Sequence, residues 1–134
     1  MTTTESGMKL QPLLIGLLSL TCTPLLVASP ADSQKGRVAF VRCMACHGVK
    51  AGEPHKLGPN LHGVVGSRAA AAEGFAYSDA LRTANITWDE DTLRRWIVNP
   101  GAVAPGNSMA YVNTLSAADI DALIAYLKSV SAGP

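Results

Sequence analysis

Residues 43–47 read CMACH, and this stretch decides how the rest of the sequence is interpreted. Cys43 and Cys46 stand three positions apart, and His47 follows the second cysteine directly. Closely spaced cysteines of this kind occur in structural disulfides, redox dithiols, zinc sites and attachment sites for c-type haem. Each of these chemistries makes a different demand on the remaining residues of the chain.

The C-x-x-C-H spacing favours attachment of c-type haem. Two cysteine sulfurs at this spacing can reach the two vinyl groups on one edge of the porphyrin and bond to them covalently. The imidazole of His47 can then bind the iron from one face. The motif therefore predicts one covalently attached haem c, held by Cys43 and Cys46, with His47 as an iron ligand.

Three other interpretations of the motif stay open on spacing alone. A zinc site needs four ligands, and only His47, His55 or His62 could join the two cysteines. A thioredoxin-like dithiol needs a βαβ pattern, which the sequence lacks. A disulfide that closes so short a loop would add little stability. Haem attachment is the interpretation that the rest of the chain supports best.

A six-coordinate haem iron needs a second ligand on the opposite face. His55 and His62 lie only eight and fifteen positions beyond His47, which is too near in sequence for that face, whereas Met109 lies sixty-two positions beyond it. A thioether is a soft, neutral ligand that raises the reduction potential relative to two histidines. On spacing alone, Met109 could equally be a filler of the core.

The first thirty-one residues resemble a secretory signal. Lys9 precedes a charge-free run over 10–28, and Ser29-Pro30-Ala31 offers small residues where a signal peptidase cuts. We predict a signal peptide over 1–31 and a mature domain over 32–134, exported to the periplasm. The alternative is an uncleaved membrane anchor, because nineteen uncharged residues could just span a bilayer, although Gln11, Pro12 and Pro24 weaken such a helix.

Length and charge limit what the mature part can be. A chain of 134 residues suggests one domain. It carries eleven basic and ten acidic side chains, and ten and nine remain once Lys9 and Glu5 leave with the signal. This balance argues against a nucleic-acid partner, whose phosphates require a basic surface. Cys22 also leaves, so one cysteine pair remains and a multi-disulfide scaffold is excluded.

Helical signals are strong at the two ends of the mature part, and no segment alternates as a strand, so we predict an all-α fold with long loops. The loops need something to pack against, and a central cofactor would supply it. The first two predicted helices run from Asp32 to about Arg42 and, after a Ser78 cap, from Asp79 to about Thr83. A third runs from a Thr87–Glu90 capping box to Asn99-Pro100, and a last helix begins at a Ser116–Asp119 box. Residues 47–73 and 99–108 are predicted loops.

Several stretches together resemble class I cytochrome c, the mitochondrial type and its soluble bacterial relatives. The resemblance covers residues 35–128 in the same order and with similar spacing. It implies a fold of about four to five helices around one covalent haem, with the first and last helices crossing. The stretches are CMACHGV, GPNLHGVVG, GFAYSDAL, ITWDEDTLRRWIVNP, PGNSMAY and LIAYLK.

The resemblance also implies roles for particular residues. Met109 matches the methionine that serves as the sixth iron ligand, and Pro59 matches the proline whose carbonyl accepts the Nδ1 proton of the axial histidine. Tyr77 and Trp88 match hydrogen-bond donors to the inner haem propionate. Asn60, Leu61, Leu93 and Ile97 match positions that wall the ring, and Gly36 and Phe40 match the first helix where it crosses Leu123 and Tyr126 of the last.

The chain departs from the family pattern around the methionine. The arginine that often follows the LHGxxG stretch is displaced by one position to Arg68, behind Ser67. Trp96 and Tyr111 replace the usual tyrosine and phenylalanine. No lysine lies in the stretch NPGAVAPGNSMAYVN, which predicts weak long-range steering on this side, docking through a small apolar contact and a shallow salt dependence.

These observations predict a periplasmic single-electron carrier and not an enzyme. It would be monomeric when free, would take no small-molecule substrate, and would exchange electrons with redox proteins such as a membrane respiratory complex, an oxidase or a periplasmic dehydrogenase. An alternative is a haem subunit stably bound to a periplasmic dehydrogenase complex. A peroxidase-like or ligand-binding haem protein would need an open sixth position, and Met109 argues against it.

Overall fold

The computed structural model describes residues 1–3 and 30–131. This part of the chain is helical, with no strand longer than an isolated antiparallel bridge between Arg68 and Thr87. The all-α prediction is therefore confirmed. The helices are α1 (Pro30–Phe40), α2 (Asp79–Thr83), α3 (Glu90–Val98), α4 (Pro100–Val103) and α5 (Ala117–Ser131).

Most of the predicted signal peptide lies outside the described residues. Of 1–31, only Met1–Thr3 and the first two residues of α1 are described, and the predicted cleavage position is in the first turn of that helix. Among the helices that are described, none has the length and apolar character of a membrane span.

The first helix lies two residues closer to the N-terminus than predicted, since it begins at Pro30 rather than at Asp32. It ends at Phe40 rather than near Arg42. The chain then continues in turns, the first of which is closed by a hydrogen bond from the Cys43 N–H to the Phe40 carbonyl at 2.8 Å. Phe40 is 4% exposed, whereas its apolar neighbours Val38 and Val41 are 63% and 62% exposed. They lie on the outer face, while the inner face meets α5.

Side-chain caps set the starts of the middle helices. Ser78 caps α2 as predicted. The capping box at Thr87 is wrong, because Thr87 is held in the bridge to Arg68 and the cap is Asp89, whose Oδ1 accepts from the Thr92 N–H at 2.7 Å. Trp88 therefore belongs to the extended segment before α3 rather than to its first turn.

Asn99 both ends α3 and caps a short helix that the sequence analysis assigned to a loop. Its Oδ1 accepts from the Ala102 N–H at 3.2 Å, and Pro100 occupies the first helical position, where the missing N–H costs nothing. The loop prediction for 99–108 therefore holds only after Val103. The Ser116–Asp119 box at the start of α5 is confirmed, with both reciprocal backbone bonds at 3.2 Å.

The α1–α5 crossing is the centre of the core. Ile120, Leu123 and Ile124 of α5 are at most 2% exposed. Gly36 brings the backbones together, since a Cβ there would lie 2.6 Å from Tyr126 Cβ and 2.9 Å from the Ala122 carbonyl carbon. The rings of Phe40 and Tyr126 pack with centroids 5.6 Å apart. The crossing confirms the expected helix arrangement and fixes the point from which Cys43–His47 continues.

Candidate haem site

The two cysteines of CMACH lie in the turns that follow α1, and both are free thiols. The His47 N–H donates to the Cys43 carbonyl at 2.9 Å, which closes a helix-like turn over the motif. Burial, with a smaller contribution from Cys46, raises the pKa of the Cys43 thiol to about 11. A reactive redox dithiol requires a lowered pKa, so this environment argues against the dithiol interpretation.

His47 is oriented by the backbone of Pro59. Its Nδ1 lies 2.7 Å from the Pro59 carbonyl, which can only accept, so Nδ1 carries the proton and Nε2 keeps its lone pair. Burial lowers the pKa of His47, the Pro59 bond partly offsets this, and Lys56 lowers it further. The ring is therefore a neutral imidazole with one nitrogen available to a metal.

Gly58 lies directly against the His47 ring. A Cβ at this position would stand 2.8 Å from both Nδ1 and Nε2, closer than real Cβ contacts. The Gly58 N–H also donates to the Cys46 carbonyl at 2.8 Å. No sequence pattern points to this glycine apart from its position directly before Pro59.

The side chain of Asn60 is bonded within the loop that surrounds His47. Its Nδ2 donates to the carbonyls of Lys50 (2.7 Å) and Glu53 (3.0 Å), and its Oδ1 accepts from the His62 N–H at 2.8 Å. These bonds use the whole amide within the loop. Asn60, which matches a position that walls the ring, therefore also stabilises the loop through its hydrogen bonds.

Neither of the other histidines is placed like a ligand. Both ring nitrogens of His55 are engaged, with Nε2 donating to the Glu73 carbonyl at 2.8 Å and Nδ1 accepting from the Asn60 N–H at 3.0 Å. His62 is exposed. His55 instead joins the 48–62 loop to the segment at Glu73, a role that the sequence analysis missed.

Met109 lies in the methionine loop, the name used here for residues 104–116 between α4 and α5. Its side chain is half-buried and packs against the hydrophobic core, as does that of Cys43. The Met109 N–H donates to Asn107 Oδ1 at 2.9 Å. Arg42, directly before Cys43, donates to Thr114 Oγ1 at 2.9 Å and so ties the loop to the CMACH segment.

Tyr77 and Trp88 stand at the edge of the same core. Burial raises the pKa of the Tyr77 hydroxyl, while a bond with the Ala72 backbone lowers it in part, and the Tyr77 ring meets Phe75 edge-on at 4.8 Å. Trp88 is 7% exposed and packs against Trp96 with centroids 5.1 Å apart. Its backbone is fixed by bonds to Gly66 and Ser67 at 2.9 and 2.8 Å.

Arg68 is directed towards a surface partner. Its Nη2 donates to Asn85 Oδ1 at 2.6 Å, and the side chain is exposed. The Ser67 hydroxyl, which stands where relatives often have arginine, donates to the Val64 carbonyl at 2.8 Å. The partners of Arg68 and Ser67 in these two bonds are both uncharged.

The side chains near the motif fit haem c. The site offers two free thiols, an imidazole with a spare nitrogen and a half-buried thioether, and half-buried apolar residues pack around the same core. Within residues 1–3 and 30–131, no three His, Cys, Asp or Glu side chains are grouped as a metal site would need, which disfavours zinc. The half-buried apolar residues include Leu61, Val64, Val65, Ala69, Ile86, Val103 and Leu115, and Leu93 and Ile97 are buried.

Known proteins resemble the chain over most of its length. The family model described as Cytochrome c matches residues 33–131. Cytochrome c2 iso-2 of Magnetospirillum fulvum is 45% identical over 92 residues, 69% of this chain and 95% of its own. Cytochrome c2 of Blastochloris viridis is 35% identical over 123 residues, 92% of this chain and 96% of its own.

A solved structure has the same fold. Cytochrome cH from Methylobacterium extorquens aligns with a TM-score of 0.68 at 39% identity, covering 73% of this chain and 98% of that one. Together with the attachment motif at Cys43–His47, these similarities confirm the expected cofactor and the class I cytochrome c fold. The chain belongs to the cytochrome c family, whose members are electron carriers with one covalent haem c and not enzymes.

Proposed function

We propose that this cytochrome is a periplasmic single-electron carrier whose haem iron is ligated by His47 and Met109. The observation that carries the proposal is the 2.7 Å bond from His47 Nδ1 to the Pro59 carbonyl, which leaves Nε2 as the free nitrogen. The haem, when bound, supplies a one-electron couple between ferric and ferrous iron. The chain's residues supply its ligands, its orientation and its protection from water.

Pro59 and Gly58 give the histidine a fixed direction. The Pro59 carbonyl holds the tautomer and strengthens the ligand, because a hydrogen-bonded imidazole is a better donor to a metal. Gly58 lets the backbone lie against the ring, so the ring has little room to turn. A ligand that keeps its direction in both oxidation states lowers the reorganisation that accompanies electron transfer.

Met109 is the proposed second ligand. Its half-buried thioether packs against the same core as Cys43, while both nitrogens of His55 are already bonded and His62 is exposed. A neutral sulfur ligand favours ferrous iron, so we expect a potential above that of a cytochrome with two histidine ligands.

Tyr77 and Trp88 are the proposed donors to the inner propionate. Each is a buried or half-buried aromatic with one polar hydrogen, and such groups normally have a partner when they are enclosed. The backbone bonds of Trp88 to Gly66 and Ser67 would keep its indole in one orientation. With Cys43, Cys46 and Pro59 they complete the proposed set of haem-binding residues.

Export is part of the proposal. The charge-free run over 10–28 behind Lys9, with small residues at Ser29 and Ala31, supports removal of 1–31 and function of 32–134 in the periplasm. The partners would be redox proteins, namely a membrane respiratory complex, an oxidase or a periplasmic dehydrogenase.

Charge divides the surface that partners would meet. No charged residue occurs from Asn99 to Ala118, a stretch that contains the methionine loop, and Val112 within it is 84% exposed. Arg37 and Lys56 lie on the α1 and 48–62 side, where Lys56 donates only to backbone carbonyls, whereas Arg42 reaches the methionine loop through its bond to Thr114. We infer docking through a small apolar contact at the methionine loop, with electron transfer that slows only slightly as salt is added.

The decisive experiment is mass spectrometry and visible spectroscopy of the protein purified from its native source. We expect the mass of the chain from residue 32 plus one haem, and a ferric spectrum with a methionine–iron charge-transfer band that Met109→Leu abolishes. A wild-type spectrum without that band would contradict the ligation. A mass that retains residues 1–31 would contradict removal of the signal peptide and would leave the ligation untouched.

A second candidate is a haem subunit held permanently in a periplasmic dehydrogenase complex. The uncharged, exposed methionine loop favours it, because stable interfaces are depleted in charge at their centre. Size-exclusion chromatography of the native protein separates the two candidates. A free carrier elutes as a monomer, and a subunit elutes with its complex.

A further inference from the structure

The methionine loop approaches Met109 through a turn with little regular backbone bonding. Pro105 has no N–H to donate, and Gly106 has a φ of +85°, in the left-handed region. The N–H of Asn107 donates to the Ala104 carbonyl at 3.1 Å, which closes the turn. Beyond this point no helix or strand holds the two residues that lead to Met109.

The Asn107 side chain bridges this turn to Met109. Its Nδ2 donates to the Ala104 carbonyl at 2.9 Å, and its Oδ1 accepts from the Met109 N–H at 2.9 Å. Ala104 is 4% exposed, and its own N–H donates to the Pro100 carbonyl at 3.0 Å at the end of α4. One amide therefore links the backbone of Met109 to a buried point of the core.

We propose that Asn107 is the positioning residue for Met109: its amide fixes the Met109 backbone against Ala104 and so holds the thioether ready for the iron. This rests on the proposed ligation by Met109. Asn107 acts through Met109 and does not itself touch the iron. Its effect should appear in how readily Met109 is displaced and only weakly in the stability of the helical core.

The amide is suited to this task because it donates and accepts at once. An alanine at position 107 would lose both bonds. An aspartate would keep the acceptor for the Met109 N–H but would place a carboxylate oxygen against the Ala104 carbonyl, where a donor is needed. The two substitutions thus separate the bond to Met109 from the bond to Ala104.

The test measures binding of exogenous imidazole to the ferric holoprotein, since imidazole competes with Met109 for the iron. We expect Asn107→Ala to bind imidazole about tenfold more tightly than wild type, because it loses two part-buried hydrogen bonds whose net contributions are modest. Asn107→Asp should tighten binding by less. The charge-transfer band of Asn107→Ala should also disappear at a lower temperature.

Asn99→Ala is the matched control. It removes an asparagine that likewise accepts from a backbone N–H two or three positions on, at the start of the same short helix, without reaching Met109. It should leave imidazole affinity within about twofold of wild type. Equal tightening in Asn99→Ala and Asn107→Ala would overturn the proposal, because the effect would then be general loosening of α4.

Three further outcomes count against the proposal. Unchanged imidazole affinity in Asn107→Ala overturns it directly. A failure of Asn107→Asp to fold also overturns it, because a role confined to the loop leaves the helical core intact. If Met109→Leu does not change imidazole affinity, Met109 is not the ligand, and both the proposed function and this inference fall for that separate reason.

Discussion

The α1–α5 crossing and the methionine loop hold their residues in place by different means. At the crossing, Gly36 brings two backbones into contact, and Ile120, Leu123 and Ile124 of α5 are at most 2% exposed. In the methionine loop the fixed points are hydrogen bonds accepted by the side chains of Asn107, Asn113 and Thr114, and much of the surface is open to solvent.

This difference separates stability from ligation. Close-packed backbone contacts cannot relax without moving whole helices, so the crossing determines the free energy of unfolding. Side-chain bonds at a partly exposed loop can open locally, at a cost well below that of global unfolding. We therefore expect the loop to release Met109 before the crossing gives way.

The largest expected effect comes from Gly36→Ala. The new Cβ would stand 2.6 Å from Tyr126 Cβ and 2.9 Å from the Ala122 carbonyl carbon, both closer than van der Waals contact, so α1 and α5 must separate. We expect the free energy of unfolding to fall by about 3 kcal/mol, which exceeds the gain of about 1 kcal/mol from helix propensity. Guanidinium unfolding followed by circular dichroism measures it.

Gly101→Ala is the control for that substitution. It also lies in a helix, but its Cβ would meet only Asn99 Oδ1, at 3.5 Å. It should leave stability unchanged or raise it by up to about 1 kcal/mol. If Gly36→Ala costs no more than Gly101→Ala, the crossing is not the tight contact described.

Gly58→Ala tests whether the segment around His47 is held by close packing, as the crossing is, or by side-chain hydrogen bonds, as the methionine loop is. Its Cβ would lie 2.8 Å from both nitrogens of the His47 ring, so the ring must turn away from Pro59. We expect a loss of about 2 kcal/mol in the free energy of unfolding. Gly48→Ala, whose Cβ meets only the flexible Glu53 side chain, should lower the free energy of unfolding much less. Equal losses in the two variants would show that the contact of Gly58 with the His47 ring is not a tight one.

The smallest expected effect is at the junction of the two regions, where Ser116 and Asp119 start α5. The Ser116 hydroxyl, then its backbone N–H, and Lys35 hold the pKa of Asp119 below its ordinary 3.8. A carboxyl with a lowered folded pKa stabilises the protein above the unfolded pKa, and this stability is lost as pH falls through the folded pKa.

Urea unfolding of wild type and Asp119→Asn at about pH 7 and about pH 3 tests this sign. Wild type should be the more stable at neutral pH, and the difference should shrink at acid pH. Ser116→Ala should also reduce the loss of stability between neutral and acid pH, because it removes the main hydrogen-bond donor to the Asp119 carboxylate. A difference that grows on acidification would contradict the assigned cause.

Much of the site could be predicted because its chemistry is local in sequence. The cysteines and His47 fall within five residues, and the Ser78 cap and the Ser116–Asp119 box each span only a few positions. Met109 was different: on spacing alone it could equally be a ligand or a core filler, and the PGNSM stretch in its family context favoured the ligand. Its ligation remains a prediction.

The rest depended on tertiary contacts that the local pattern does not contain. Thr87 had the spacing of a capping box, but its pairing with Arg68 keeps it extended and moves the cap to Asp89. Val38 and Val41 are apolar yet lie outside the crossing. The bond networks of Asn60 and Asn107 are invisible in sequence because an asparagine's partners depend on how its loop closes.

The most direct test of the separation between crossing and loop is one guanidinium titration of the ferric holoprotein, followed by two signals. The charge-transfer band reports Met109 on the iron, and far-ultraviolet circular dichroism reports the helices. We predict that the band is lost at a clearly lower guanidinium concentration than the helical signal. Coincident transitions would contradict this, because the loop and the crossing would then unfold as one unit.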